Sequence, residues 1–167
     1  MFKNTTVYLS GPIEFNRENW RPGIKVRLEE ECGMTVLDPG SDPKQQWLPE
    51  IEKAKRERSF GTMKRVAHDF FRRDLDMVSK SDMLVGYLPY AVPTVGTHHE
   101  IIESWRTMKP TLLVCPEGVD KIPVWYFGFI PLDHMFGSWD DMFGYLAKVA
   151  SGEEYDSTWH LIKSKQP

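Results

Sequence analysis

Short apolar runs, each ending near a glycine or a proline, recur along the first two thirds of the chain. β-Branched and aliphatic residues dominate these runs, which is typical of buried strands. The runs predict four strands, at Thr5–Ser10, Met34–Leu37, Met83–Leu88 and Pro110–Cys115. A further apolar segment, Val124–Ile130, predicts a fifth strand.

Amphipathic or charged segments separate the apolar runs. They predict five helices, at Asn19–Glu31, Leu48–Arg58, Thr62–Lys80, Thr97–Met108 and Ser138–Val149. Strands that alternate with helices are typical of a parallel sheet with helices on both faces. The pattern therefore predicts an α/β fold, with a single domain over residues 1–167 that is doubly wound around a mostly parallel five-stranded, flavodoxin- or Rossmann-like sheet.

Composition narrows the classes of partner. With a net charge of -3 and 27% charged residues, the chain has no strong field for a nucleic acid polymer, and no apolar run approaches the roughly 20 residues of a membrane span. Its two cysteines, Cys32 and Cys115, form neither a disulfide framework nor a metal-binding spacing, and the N-terminus does not resemble a secretory signal. We therefore expect a cytoplasmic protein. Aromatic residues concentrate after residue 124, which suggests a surface buried in a homo-oligomer.

Glu100 is the first candidate for chemistry. It follows the loop that leaves the third predicted strand, and ligands of open α/β sheets bind at the carboxyl ends of strands. A glutamate in the first turn of a helix lies near a partly positive helix end, which favours the ionised form that a nucleophile needs. An alternative is structural, because Thr97-x-x-Glu100 matches a capping box in which the glutamate only bonds the backbone.

Asp74 is the second candidate. On the predicted helix Thr62–Lys80 it falls on or beside the apolar stripe, four residues after Phe70 and three before Met77. Burial raises the pKa of a carboxyl group, which suits a proton donor near neutral pH. The alternative is that Asp74 caps a neighbouring loop or forms an ion pair with one of the adjacent arginines, Arg72 and Arg73.

Other side chains are less distinctive. Tyr8 lies near the end of the first strand, where it either reaches the crevice or is an ordinary core tyrosine, and Gly11 would let the backbone approach a ligand. The adjacent histidines His98 and His99 point in different directions on a helix and predict no metal site. We expect most of five basic residues at the solvated surface, with one or two near the crevice able to hold a phosphate. These residues are Arg17, Arg21, Lys64, Arg72 and Arg73.

Taken together, these segments resemble the nucleoside 2-deoxyribosyltransferase superfamily, which includes the 2′-deoxynucleoside 5′-phosphate N-hydrolases. The matching pieces, in the family's order, are VYLSGPI at Val7–Ile13, RDLDMVSKSD at Arg73–Asp82, VGTHHE at Val95–Glu100 and KPTLLV at Lys109–Val114. The resemblance implies cleavage or transfer at a nucleoside N-glycosidic bond without a metal or a cofactor. Its implied partners are a nucleoside or nucleotide and a free nucleobase.

The resemblance also implies roles. Glu100 matches the nucleophile that forms a covalent glycosyl-enzyme, Asp74 matches the residue that handles the proton of the leaving base, and Tyr8 matches the tyrosine that orients the nucleophile. Many transferases carry an aspartate where this chain has Thr94, and a hydroxyl there favours a 5′-monophosphate. The residues expected to line the sugar or phosphate pocket are Ser10, Gly11, Ile13, Arg17, Thr94, Gly96 and Thr97.

Two alternatives to this function stay open. The chain could be a nucleotide-binding module without catalysis, in which Glu100 serves only as a cap. It could also be a glycohydrolase that acts on another N-ribosyl compound, although it lacks a dinucleotide-binding or Walker A glycine pattern.

Overall fold

The computed structural model describes residues 2–14, 18–41, 47–154, 157–159 and 162. Within them, one sheet contains strands β1 (Thr6–Ser10), β2 (Thr35–Leu37), β3 (Met83–Tyr87), β4 (Thr111–Val114) and β5 (Met135–Phe136). The α-helices of these residues are α1 (Arg21–Glu30), α2 (Leu48–Arg56), α3 (Phe60–Lys80), α4 (Val95–Arg106) and α5 (Trp139–Ser151). None of these helices has the length and apolar character that crossing a bilayer requires.

The strand order is β2-β1-β3-β4-β5, and every neighbouring pair is parallel. This is the flavodoxin-like order, in which the chain reverses direction between β1 and β3 and opens a crevice at their carboxyl ends. The prediction of a doubly wound, five-stranded parallel sheet is confirmed. Ser10 at the end of β1 lies beside Gly86 of β3, which in turn lies beside Leu113 of β4.

Two hydrophobic cores cover the two faces of the sheet. Leu9 of β1 packs into the core that contains Leu28 of α1 and Leu146 of α5. Its neighbour Tyr8 packs into the opposite core, with Val78 of α3 and Ile101 of α4. Because successive side chains of a strand point to opposite faces, Tyr8 and Ser10 both face the α3–α4 side. The crevice on that side is therefore furnished by β1, α3 and α4.

The prediction of a strand over Val124–Ile130 is wrong. Residues Val124–Gly128 form a 3-10 helix, and the fifth strand is the two-residue β5 further along the chain. The buried residues of the segment, Tyr126 and Ile130, are four apart, which is a helical rather than an alternating pattern. Val124 and Trp125 are exposed, so the expected subunit contact stays a prediction with these side chains available to it.

The helix predicted from Thr97 begins two residues earlier, at Val95. Thr94 is its N-cap residue, although the Thr94 side chain makes no capping bond to the backbone. Glu100 is therefore the sixth residue of α4 and lies in its second turn, since a turn takes about 3.6 residues. Because of this earlier start, Glu100 does not occupy the third position of the helix, where a capping box places its glutamate.

Gly86 allows α4 to lie close to β3. A Cβ atom built on Gly86 would lie 3.0 Å from Cδ2 of Leu113 and 3.2 Å from Cδ1 of Ile101. We expect Gly86→Val to lower the free energy of unfolding by about 1–3 kcal/mol, because added carbons overpack this contact. Urea unfolding measures the change.

The matched control is Gly144→Ala on the exposed face of α5, where an added Cβ meets nothing within 4 Å. Alanine should raise the stability there by about 0.5–1 kcal/mol, because it is the better helix former. Equal effects of the two substitutions would contradict the close packing of α4 on β3.

Candidate active site

A buried carboxylate lies at the carboxyl end of β1. Glu100 is only 7% exposed, and both of its oxygens accept hydrogen bonds from β1. The Tyr8 hydroxyl donates to Oε1 over 2.9 Å, and the Ser10 hydroxyl donates to Oε2. Since Tyr8 and Ser10 are two residues apart on one strand, the alternation of β1 aims both hydroxyls at the same carboxylate.

These bonds exclude the capping-box interpretation of Glu100. In a capping box the glutamate is the third residue of the helix and bonds the amide of the N-cap residue. In α4 the third residue is Thr97, whose Oγ1 bonds Oγ1 of Thr94, and Glu100 lies one turn deeper with β1 as its partner. The Glu100 carboxylate therefore does not cap α4.

Burial raises the pKa of Glu100 to about 7. The Ser10 and Tyr8 hydroxyls and the Arg21 guanidinium oppose this rise, whereas the negative charge of Asp74 adds to it. The expectation that a helix end favours the ionised form of Glu100 is wrong, because the first turn of α4 contains no acidic residue. Burial, followed by the charges of Glu100 and Asp74, also raises the pKa of Tyr8, so the phenol keeps the proton that it donates.

Asp74 occupies the buried stripe of α3. Val66, Asp74 and Val78 are the buried residues of that helix, at intervals of eight and four, while the adjacent Arg72 and Arg73 are exposed. Asp74 and Glu100 line the same cleft, and their charges interact. The two carboxyl groups, 26 residues apart in the sequence, thus meet in one place, as a residue pair acting on one substrate requires.

The cleft has two lobes that meet at Asp74 and Glu100. The larger lobe is a cavity of about 490 Å³ between α3 and α4, and the smaller lobe measures about 230 Å³. Both lobes are also bounded by Phe70, Val95 and Gly96. The volume of the larger lobe alone is in the range of small-ligand sites.

Aromatic side chains form much of the wall of the larger lobe. The Phe71 ring lies 5.5 Å from the ring of His99, centroid to centroid. The Phe70 ring, shared by both lobes, stacks on Trp47 with centroids 4.1 Å apart. Lys64 is the basic side chain at this wall besides the histidines, so the lobe suits a flat, largely apolar group.

Two loops enclose the smaller lobe, one after β1 and one before α4. Gly11 is required in the first loop, because a Cβ there would lie 2.6 Å from Cζ2 of Trp20. From the second loop, residues 93–97 bring the N-terminus of α4 to the lobe. Backbone N–H groups at a helix start attract anions and hydroxyl oxygens. The charged Glu14 in this lobe is paired with Lys55.

The predicted site residues are placed as follows. Ser10 bonds Glu100, whereas Arg17 lies outside the described residues. His98 bonds the Tyr126 hydroxyl, and the described residues contain no cluster of three or more histidine, cysteine or acidic side chains that could hold a metal ion. The other predicted pocket residues line the smaller lobe, namely Gly11, Ile13, Thr94, Gly96 and Thr97.

The surface position predicted for Arg21 is wrong. Arg21 is buried and forms an ion pair with Asp38, N–O distance 2.9 Å. The aromatic wall formed by Trp47, Phe70 and Phe71 is not predicted from the sequence. Two adjacent phenylalanines close to a candidate aspartate are a sequence signal for such a wall, and Phe71 is 45% exposed in the structure.

We predict that Glu100 makes stability fall as the pH rises. Its folded-state pKa of about 7 lies above the value of about 4.3 in an unfolded chain, so the folded state binds more protons between these pH values. Stability is then lost progressively up to pH 7, by roughly 3–4 kcal/mol. Glu100→Gln should recover much of this loss at pH 8 and little at pH 4, as measured by urea unfolding.

Glu103→Gln, three residues further along α4 and only half-buried, is the control variant. A gain at pH 8 of the same size in the control, or no gain in Glu100→Gln, would contradict the burial of an ionisable Glu100.

Comparison with known proteins identifies the fold. No family model matches the sequence, and no curated protein matches it significantly. A solved 2-deoxyribosyltransferase from Bacillus psychrosaccharolyticus is 24% identical, with a TM-score of 0.56 over 92% of this chain and 93% of that chain. A solved 2-deoxyribosyltransferase from Leishmania mexicana is 18% identical, with a TM-score of 0.54 over 86% of this chain and 97% of that chain. The chain therefore has the fold of these 2-deoxyribosyltransferases.

Proposed function

We propose that the chain is an enzyme of the nucleoside 2-deoxyribosyltransferase superfamily. It breaks the N-glycosidic bond of a (2′-deoxy)nucleoside or its 5′-monophosphate and passes the sugar to water or to a second base. The observation that carries this proposal is the buried Glu100, held at both oxygens by β1 and facing a cleft that it shares with Asp74. The fold shared with two solved 2-deoxyribosyltransferases supports it.

In the proposed reaction Glu100 attacks the anomeric carbon. A bond forms between a carboxylate oxygen and that carbon while the carbon–nitrogen bond to the base breaks, and its electron pair stays on the base nitrogen. Asp74 in its acid form delivers a proton to the departing base. Water or a second base then attacks the same carbon, gives up a proton to Asp74 and releases the Glu100 carboxylate. Atoms and charges balance without a further reactant.

The environments of the two carboxyl groups support a division of labour. Burial raises the pKa of Glu100, and the negative charge of Asp74 adds to this rise, so the ionised forms of the two groups disfavour each other. Tyr8 and Ser10 donate hydrogen bonds to Glu100, which favours placing the negative charge there when one group ionises. The proposal assigns to Asp74 the proton that the leaving base takes up.

The two lobes differ in the groups that they suit. The larger lobe, with its aromatic wall, suits a nucleobase, because a flat heterocycle stacks on aromatic rings. The smaller lobe suits the sugar and a 5′-phosphate, because it combines the start of α4 with the Thr94 hydroxyl. This division supports a preference for 5′-monophosphates.

We expect Glu100→Gln to lower kcat by at least about 10³-fold, because an amide oxygen is a far weaker nucleophile than a carboxylate. Chromatography would follow base release from single nucleosides and monophosphates, with and without a second base. Release without an acceptor indicates hydrolysis, and exchange that needs one indicates transfer. Intact-protein mass spectrometry should detect a sugar adduct on the unmodified protein and none on the variant.

Glu103→Gln is the matched control and should keep its activity. Full turnover by Glu100→Gln would sink the proposed nucleophile. Thermal stabilisation by nucleotides with no product from any of these compounds would instead support a binding module. If base is released only from another N-ribosyl compound, the chain is a glycohydrolase for that compound and the proposed substrate is wrong.

Thr94 offers a test of the phosphate preference. We predict that Thr94→Asp lowers kcat/KM for monophosphates relative to nucleosides by about 5- to 1000-fold, because a carboxylate a few ångströms from a phosphate costs about 1–4 kcal/mol. The control is Thr94→Asn, because asparagine has the size of aspartate without its charge. It should change the ratio of the two kcat/KM values much less. Identical ratios in the two variants would argue against a phosphate beside Thr94.

A further inference from the structure

Arg21 lies at the start of α1, on the side of the sheet opposite α3 and α4. Its guanidinium is buried against the loop that follows β1. Its Nη1 donates to the Leu9 carbonyl over 2.8 Å, and its Nη2 donates to the Gly11 carbonyl over 2.7 Å. The residue between these two carbonyls is Ser10, whose hydroxyl bonds Glu100. One side chain thus holds the backbone on both sides of Ser10.

A second set of contacts fixes the guanidinium itself. Nη1 also bonds Oδ1 of Asp38 over 2.9 Å, just after β2, and the same oxygen accepts the backbone N–H of Gly40 over 2.9 Å. A Cβ on Gly40 would lie 3.0 Å from Cδ of Arg21, so the turn after β2 closes tightly on the side chain. The Trp20 ring covers it, with the guanidinium carbon 4.6 Å from the ring centroid.

We propose that Arg21 is a positioning residue for the glycosyl transfer, holding the exit of β1 so that the Ser10 hydroxyl stays on the Glu100 carboxylate. This inference rests on the function proposed above. Arg21 touches neither cavity, so it acts through Ser10 and not on the substrate.

Stability alone is a poor reason for this arrangement. A buried ion pair is often replaceable by apolar side chains at no cost in stability, because desolvation offsets the attraction. What an apolar side chain cannot do is hold two carbonyls in a fixed orientation, which the planar fork of arginine does. The geometry at Ser10 therefore explains the buried charge better than the stability of the loop does.

Arg21 has an electrostatic effect as well, since its positive charge lowers the pKa of Glu100. The other groups that act on Glu100 are Tyr8 and Ser10 from β1 and Asp74 from α3. Without Arg21 the pKa of Glu100 should rise further, and more of the carboxylate would be protonated at neutral pH. The acid limb of the pH profile would then move to higher pH.

The test compares Arg21→Met with Arg21→Lys. We expect kcat/KM to fall about 100-fold in both, mainly through kcat, because small displacements of a reacting group cost that much. The acid limb should move to higher pH in both variants, because a displaced Ser10 hydroxyl no longer favours the ionised form of Glu100. Arg21→Lys keeps the positive charge, so its shift reports the loss of the fork. Arg27→Met is the control on the same helix, where the ion pairs with Glu31 and Asp140 lie at the surface.

A carbon-13 NMR titration of the Glu100 carboxyl group gives a readout that needs no turnover. An upward shift of the Glu100 titration in both variants supports the inference even if no nucleoside or nucleotide is a substrate. A shift in Arg21→Met alone would report only the lost charge and would overturn the positioning role. An unchanged titration together with kcat/KM within about threefold of the unmodified protein overturns it. If Arg21→Met fails to fold, the kcat loss in Arg21→Lys decides, and full activity there overturns the inference.

Discussion

The contact on which the site depends is the one between a buried carboxylate and two hydroxyls of the neighbouring strand. A carboxylate removed from water is costly unless donors replace its hydration. Tyr8 and Ser10 supply those donors to Glu100, and they can do so only while α4 lies close to the sheet. Gly86 permits that approach, since any larger residue would meet Ile101 of α4. The packing of α4 on β3 therefore decides whether the two hydroxyls of β1 reach the Glu100 carboxylate.

The sheet also brings opposing influences to Glu100 from its two sides. Arg21 belongs to the α1 side and favours the ionised form, whereas Asp74 belongs to the α3 side and favours the protonated form. Both influences reach Glu100 because the strand order reverses between β1 and β3. The helix after β1, α1, covers one face of the sheet there, and the helix after β3, α4, covers the other. Burial is the main reason that the pKa of Glu100 is about 7, and these charges adjust it, so both protonation states are within reach at neutral pH.

Much of this arrangement is predictable from sequence, and the failures have physical causes. Strands β1–β4 are short apolar runs that end at glycine, proline or polar residues. Asp74 is recognisable because it is a charged residue within the apolar stripe of a helix. The segment Val124–Ile130 misleads because apolar content is mistaken for alternation. Arg21 is missed because its partners are backbone carbonyls and an aspartate 17 residues away, which no local pattern reveals. The shared lobes depend on how α3 and α4 pack, which is a tertiary property.

The sheet ends in very short strands on both sides, with three residues in β2 and two in β5. An edge strand with unpaired backbone groups is a template on which another chain can add a strand. Strands of two or three residues offer few backbone hydrogen bonds for such an addition. Growth of ordered fibrils from the folded protein is thus disfavoured by the architecture itself. At high concentration the folded chain should stay soluble longer than a protein of similar hydrophobicity with long open borders.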